Sequence, residues 1–103
     1  MSTRIGPDQA GEVVTVAPGQ QVELVLPENA GTGYRWELDP LPEGMRMLDD
    51  RTELGSSTMA GAAGQRVFTV RVDGSGSLTA RLRRRWEPAA ATDKTYTVRV
   101  VMR

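Results

Sequence analysis

Residues 22–38 read VELVLPENAGTGYRWEL, and this stretch indicates the fold. Apolar side chains occupy every second position on both sides of the glycines, first at Val22, Leu24 and Leu26 and then at Tyr34, Trp36 and Leu38. A period of two residues is typical of a β-strand with one buried face. The stretch therefore predicts two strands joined by a loop, and this loop is longer than the two-residue turn of a plain hairpin.

The same alternation recurs along the chain. Further apolar faces are formed by Phe68/Val70/Val72, Leu78/Ala80/Leu82 and Tyr96/Val98/Val100/Met102. A weaker strand is expected near residues 13–16 and a poorly patterned one across about 45–54. Parallel sheets covered by helices would show continuous apolar strands instead. The sequence predicts an all-β fold, an antiparallel sandwich of about seven to eight strands, in a single domain over residues 12–103. We expect residues 1–11 to form a flexible tail.

The composition excludes several classes of function. The 103 residues include 13 basic and 13 acidic side chains, so no net charge would attract nucleic acid or an anionic membrane. The sequence has no cysteine and no histidine, which excludes thiol nucleophiles, Ser-His-Asp catalysis and the common zinc sites. An enzyme that uses paired carboxylates is the remaining catalytic alternative, and it is not favoured because the pattern places no aspartate or glutamate pair in a pocket. We expect no enzymatic activity, no metal and no cofactor.

The sequence shows no targeting segment and no apolar run near the ~20 residues of a membrane span. A cytoplasmic protein is expected from the chain as written, and a periplasmic or secreted one if a leader has been removed. We expect a monomer that binds neither nucleic acid nor membranes.

Three loops stand out as candidate recognition elements. The first spans residues 29–34 and contains two glycines, which let a partner approach the main chain closely. The second, residues 55–64, is small and polar, and it is either a functional loop or a solvated connection. The third begins at Arg84-Arg85-Trp86 and pairs two residue types that are enriched in interface hot spots. Because alternate connections of a sandwich emerge at the same end, the three loops should cluster.

Other features have more ordinary interpretations. Trp36 lies on the core-facing side of its strand and is expected in the core. Asp49, Asp50 and Glu53 could hold calcium, but they lack the spacing of a calcium loop, so a solvated edge is favoured. The arginines at 81 and 83–85 could contact nucleic acid, although the alternating part of this run is the outward face of one strand. Trp86 could also simply cap the core with an arginine stacked on it.

Three motifs carry a family resemblance. They are Asn29-x-x-Thr32-Gly33-Tyr34, Gly61-x-x-Gly64 and Arg84-x-Trp86. In this order they resemble the signature loops of the chagasin-type inhibitors of cysteine peptidases, which read Asn-Pro-Thr-Thr-Gly-aromatic, Gly-x-Gly-Gly and Arg-Pro-Trp. The resemblance extends from about Glu12 to Met102. It implies an immunoglobulin-like sandwich that inhibits papain-like cysteine proteases reversibly, without being cleaved.

The resemblance also implies a binding mode, in which the three loops act as a wedge in the active-site cleft. Thr32 would lie nearest the enzyme's catalytic cysteine and histidine, and Trp86, positioned by Arg84, would pack beside that histidine. The second loop would meet the other wall of the cleft. The protease-binding residues implied are Asn29, Gly31, Thr32, Gly33, Tyr34, Gly61, Ala62, Ala63, Gly64, Arg84, Arg85 and Trp86.

Four positions depart from the family pattern. Ala30 and Gly31 replace a proline and a threonine, Ala63 replaces a glycine and Arg85 replaces a proline. A looser first loop has more conformational entropy to lose on binding, so inhibition is expected to be weaker or tuned to a different protease. The alternative is an immunoglobulin-like adhesion or binding module that uses the same loops for another protein or a carbohydrate.

Overall fold

Eight strands and one short 3-10 helix form the part of the chain that the structure describes. This computed structural model describes residues 2–28, 33–53, 64–84, 86 and 94–103. The strands are β1 (Ser2–Ile5), β2 (Val13–Val16), β3 (Gln20–Glu28), β4 (Tyr34–Leu38), β5 (Met45–Glu53), β6 (Gly64–Val72), β7 (Gly76–Arg84) and β8 (Lys94–Met102), and the 3-10 helix spans Pro7–Gln9. Within these ranges, no helix has the length and apolar character needed to cross a membrane.

The strands form two four-stranded sheets, and the predicted immunoglobulin-like β-sandwich is confirmed. The first sheet has the order β1-β3-β6-β5 and the second β2-β8-β7-β4. Two pairs depart from the all-antiparallel expectation, since β1 runs parallel to β3 and β2 runs parallel to β8. The chain crosses from one sheet to the other between β1 and β2 instead of turning back as a hairpin. Each of these two strands therefore joins the edge of a different sheet.

The core follows the alternation that the sequence shows. Leu24, Phe68, Leu78 and Val98 are fully or almost fully buried between the sheets, and Trp36 is only 5% exposed, as predicted for a core residue. The weak pattern of β5 has a structural cause: the register with β6 shifts between Met47 and Asp49, which marks a β-bulge. Beyond a bulge, simple alternation no longer tells which side chains face the core.

The expectation of a flexible tail at residues 1–11 was wrong for the described residues, 2–11. Ile5 is fully buried in the core, and the β1 backbone pairs with β3. The following turn is held by two further hydrogen bonds, from the Gly11 N–H to the Thr97 carbonyl at 2.7 Å and from the Tyr96 hydroxyl to the Gly6 carbonyl at 2.8 Å. A strand of four residues is too short to show a clear alternating pattern, so the sequence does not reveal it.

Candidate functional site

The strand ends that flank the three loops lie at one end of the sandwich, here called the loop end. The register shows this within each sheet, through the pairs Glu28↔Gly64, Glu53↔Gln65, Tyr34↔Arg84 and Leu82↔Lys94. Between the sheets, the indole N–H of Trp36 donates a hydrogen bond to the Pro27 carbonyl at 2.7 Å. The clustering predicted from topology is therefore confirmed for the residues that border the loops.

Trp86 joins the third loop to the first. Its side chain is 72% exposed, yet its ring rests against Gly33. A β-carbon placed on Gly33 would clash with Cη2 of this ring and would lie 3.3 Å from both Cζ2 and Cζ3. Gly33 also has a φ of 79°, a conformation that residues with a side chain rarely adopt. Glycine is thus required at this position for two reasons: its backbone conformation, and the space that the indole of Trp86 needs.

Arg84 lies between two aromatic side chains at the loop end. Its guanidinium carbon is 4.3 Å from the centroid of the Tyr34 ring and 5.9 Å from that of Trp86. Tyr34 and Arg84 are direct cross-strand partners on β4 and β7, so the strand register creates the first contact. From the sequence, Trp86 was expected to be either a recognition residue or a cap on the core with an arginine stacked on it. The structure shows a tryptophan that has an arginine beside it and remains mostly exposed to solvent.

A buried carboxylate that the sequence analysis did not single out supports the base of the first loop. Glu28 is 3% exposed, and its Oε2 accepts the backbone N–H of Trp36 at 2.8 Å and Nη1 of Arg66 at 3.3 Å. Glu28 continues the inward face of Val22, Leu24 and Leu26. Strand parity alone could therefore have shown that an acidic side chain points into the sandwich next to the loop.

Arg66 extends this cluster to the edge strand β5. It binds Asp50 through two nitrogens, with 2.9 Å between Nη2 and Oδ2. Hydrogen bonding to Asp50 is the main cause of a raised pKa for Arg66, with Glu28 contributing further. Arginine also binds the other two carboxylates considered for calcium, since Arg51 donates hydrogen bonds to Asp49 and Glu53. In the described part of the chain these carboxylates therefore serve in ion pairs.

The structure places five of the twelve predicted binding residues. Gly33, Tyr34, Arg84 and Trp86 lie together as described, and Gly64 is buried opposite Glu28 at the start of β6. The other seven fall outside the described residues, and they are Asn29, Gly31, Thr32, Gly61, Ala62, Ala63 and Arg85. Tyr34, Arg84 and Trp86 therefore form one aromatic and cationic cluster beside Gly33, which joins the third motif to the end of the first.

Comparison with known proteins identifies the family. The profile described as Chagasin family peptidase inhibitor I42 matches residues 15–100, most of the chain. The chain belongs to the chagasin family of peptidase inhibitors. This confirms the resemblance drawn from the three motifs, and it places the protein among inhibitors and not among enzymes.

The chain is also similar to individual relatives and, in its fold, to solved structures. Amoebiasin-1 of Entamoeba histolytica is 26% identical over 97 residues, which cover 90% of this chain and 92% of the relative. Among solved structures, the cysteine protease inhibitor EhICP2 from Entamoeba histolytica has a TM-score of 0.88 at 17% identity, covering 99% of this chain and 96% of the other. Amebosin has a TM-score of 0.73 at 25% identity, covering 100% and 99%. PbICP-C, solved in complex with falcipain-2, has a TM-score of 0.66 at 15% identity, covering 99% and 98%.

Proposed function

We propose that this chagasin-family chain inhibits papain-like cysteine proteases by inserting its loop end into their active-site cleft. The observation that carries the proposal is Trp86, which is 72% exposed and held against Gly33 at the end where all three signature motifs begin or end. Relatives with the same fold support the class of partner, since EhICP2 is a cysteine protease inhibitor and PbICP-C was solved with falcipain-2.

Trp86 supplies a large part of the driving force in this proposal. An indole side chain offers about 200 Å² of surface, so burying its exposed part is worth about 3–4 kcal/mol before the costs of association are subtracted. The flanking Arg84 and Tyr34 are already packed together at 4.3 Å. Since these side chains lose little freedom on binding, more of that energy remains as affinity.

Inhibition in this mechanism is non-covalent. The chain has no cysteine and no histidine with which to attack or trap the enzyme, so it acts by occupying the cleft and excluding substrate. Thr32 of the first motif would face the enzyme's catalytic cysteine and histidine, as the family motif implies. Reversible, competitive inhibition without loss of intact inhibitor follows from this mode of action.

The proposal is tested by steady-state inhibition of papain with the full chain and two variants. The full chain should inhibit competitively and remain uncleaved, and Trp86→Ala should raise the inhibition constant by about 30- to 100-fold, as for an interface hot spot.

Val13→Ala is the matched control, because Val13 is 60% exposed on β2 and pairs with Arg99 away from the loop end. It should leave the inhibition constant within about twofold, in the ±0.5 kcal/mol range of surface substitutions. Absence of inhibition by folded chain at micromolar concentration, against papain and cathepsin-like enzymes alike, would overturn the proposal.

A further inference from the structure

We propose that Glu28 is a positioning residue for inhibition, whose buried carboxylate holds the two ends of the first loop in a binding-competent arrangement. This inference rests on the proposed function. Glu28 is the last residue of β3, immediately before the loop, and its side chain is 1% exposed. Burying a carboxylate is costly unless charge and hydrogen bonds compensate it, so its partners indicate what the residue does.

The first partner lies on the strand that follows the loop. The Trp36 N–H donates to Glu28 Oε2 at 2.8 Å, and the two residues belong to different sheets. Among the described strands β4 pairs with β7 alone and forms an edge of its sheet, and an edge strand leaves alternate N–H groups without a strand partner. The carboxylate of Glu28 accepts a hydrogen bond from one of these groups, the N–H of Trp36. It thereby joins the residue that precedes the first loop to the strand that follows it.

The second partner lies on the strand that follows the second loop. Arg66 is two residues after Gly64, and its Nη1 is 3.3 Å from the same carboxylate oxygen. Arg66 is itself held by Asp50 on β5, the strand that precedes the second loop. One buried oxygen of Glu28 therefore connects β3, β4 and β6, and through Arg66 and Asp50 it reaches β5. These four strands flank the first two loops.

The hydrogen bond from Trp36 to Glu28 also affects the third loop. Trp36 is three residues from Gly33, on which the Trp86 ring rests, and two residues from Tyr34, on which Arg84 stacks. If the start of β4 shifts when Glu28 is removed, Gly33 and Tyr34 shift with it, and the support beneath Trp86 is lost. Glu28 itself is buried, so it acts on the protease only through these neighbours.

The first experiment compares inhibition of papain by Glu28→Ala, Glu28→Gln and Val100→Ala with that of the unsubstituted chain. Val100 is fully buried and pairs with Gly76 at the opposite end of the sandwich, so its truncation weakens the fold without touching the loop end. Unfolding curves establish that each variant is folded at the assay temperature. Glu28→Ala should raise the inhibition constant at least about tenfold, the effect of losing one charge-assisted hydrogen bond. The inhibition constant of Val100→Ala should stay within about twofold, because this substitution lowers the free energy of unfolding without changing the contacts at the loop end.

Glu28→Gln is the conservative variant, and it should largely preserve the inhibition that Glu28→Ala weakens. Its amide oxygen can still accept the Trp36 N–H, so this variant should inhibit within about threefold of the unsubstituted chain. The inference is overturned if Glu28→Ala inhibits as well as Val100→Ala, or if Glu28→Gln is as weak as Glu28→Ala.

A second experiment needs no protease and separates this inference from the proposed function. Amide hydrogen exchange followed by NMR should show the Trp36 and Tyr34 amides exchanging at least about tenfold faster in Glu28→Ala, relative to mid-strand amides of β8, and not in Val100→Ala. Equal relative rates in the two variants would overturn the inference. If the unsubstituted chain inhibits no protease, the proposed function fails and the exchange rates alone decide the role of Glu28.

Discussion

The ring of Trp86 occupies the space beside Gly33 that a β-carbon would fill. This contact links the third signature motif to the first, across two segments that are distant in sequence. It also explains how a tryptophan that is 72% exposed can have a defined position, since one edge of the indole is supported while the rest stays available. The glycine of the first motif thus has a role beyond its own loop, as the support on which Trp86 rests.

Gly33→Ala should therefore weaken inhibition as well as stability. The β-carbon would displace Trp86, and a φ of 79° adds a strain of about 1 kcal/mol. We expect the inhibition constant to rise about tenfold or more, in line with loss of a hot-spot contact. Gly11→Ala is the control, because Gly11 has the same φ of 79° but nothing within 4 Å of the added carbon. Equal inhibition constants for the two variants, measured alongside their unfolding free energies, would show that the Trp86 contact is irrelevant.

Arg84→Lys should test the stacking of the guanidinium on Tyr34. A lysine keeps the charge but loses the flat surface that lies 4.3 Å from the ring, at a cost of about 0.5–1 kcal/mol. The inhibition constant should rise about two- to fivefold. The neighbouring Arg83→Lys is the comparison, since Arg83 pairs with Glu37 on the outer face and should tolerate the change. A stronger effect from Arg83→Lys would contradict the assignment.

Ile5→Ala should lower the free energy of unfolding by about 2–4 kcal/mol, the usual cost of truncating a buried aliphatic side chain. Ile5 is fully buried, whereas Val13 is 60% exposed, so Val13→Ala should cost less than about 1 kcal/mol. Urea unfolding measures both. Little loss from Ile5→Ala would mean that residues 2–5 are a tail after all.

Stability should fall steeply at high pH because of Tyr96. Burial is the main cause that raises the pKa of its hydroxyl to about 12, with Asp8 and Glu12 adding repulsion. The ordinary value in the unfolded chain is about 10, so the folded state keeps the proton between roughly pH 10 and 12 while the unfolded state has lost it. The folded state then binds more protons, and stability decreases as the pH rises through this window. Thermal melts of the chain and of Tyr96→Phe should differ in slope there, and parallel slopes would contradict the raised pKa.

Much of the sandwich could be predicted because each main strand buries every second side chain. Residues 96–100 alternate strictly between buried and exposed, and in 22–26 and 68–72 every second residue is likewise buried, although Val25 and Thr69 between them are buried as well. All three segments lie in central strands. The edge strands of the first sheet were harder to predict. β1 buries one large side chain in four residues, and the bulge in β5 breaks the alternation. Neither feature produces a period that can be recognised in a single sequence.

The site was predictable where a motif names the residue, as with Gly33, Arg84 and Trp86. What the sequence could not provide was the reason for their arrangement. The contact between Gly33 and Trp86 depends on how two loops meet. The polar cluster of Glu28, Arg66 and Asp50 depends on packing between strands, since Arg66 lies 38 residues from Glu28 and 16 from Asp50 in sequence. Parity places Glu28 on the inward face, but only the structure shows which donors satisfy it.

The most direct test of the central claim is an NMR titration of the isotope-labelled chain with papain whose catalytic cysteine has been alkylated by a small group. Shift changes should concentrate at the loop end, in Gly33, Tyr34, Gly64, Arg84 and the indole of Trp86, and should be absent at Gly44 and Gly74 near the opposite end. Changes confined to the opposite end, or binding that leaves the Trp86 indole resonance unmoved, would contradict the account.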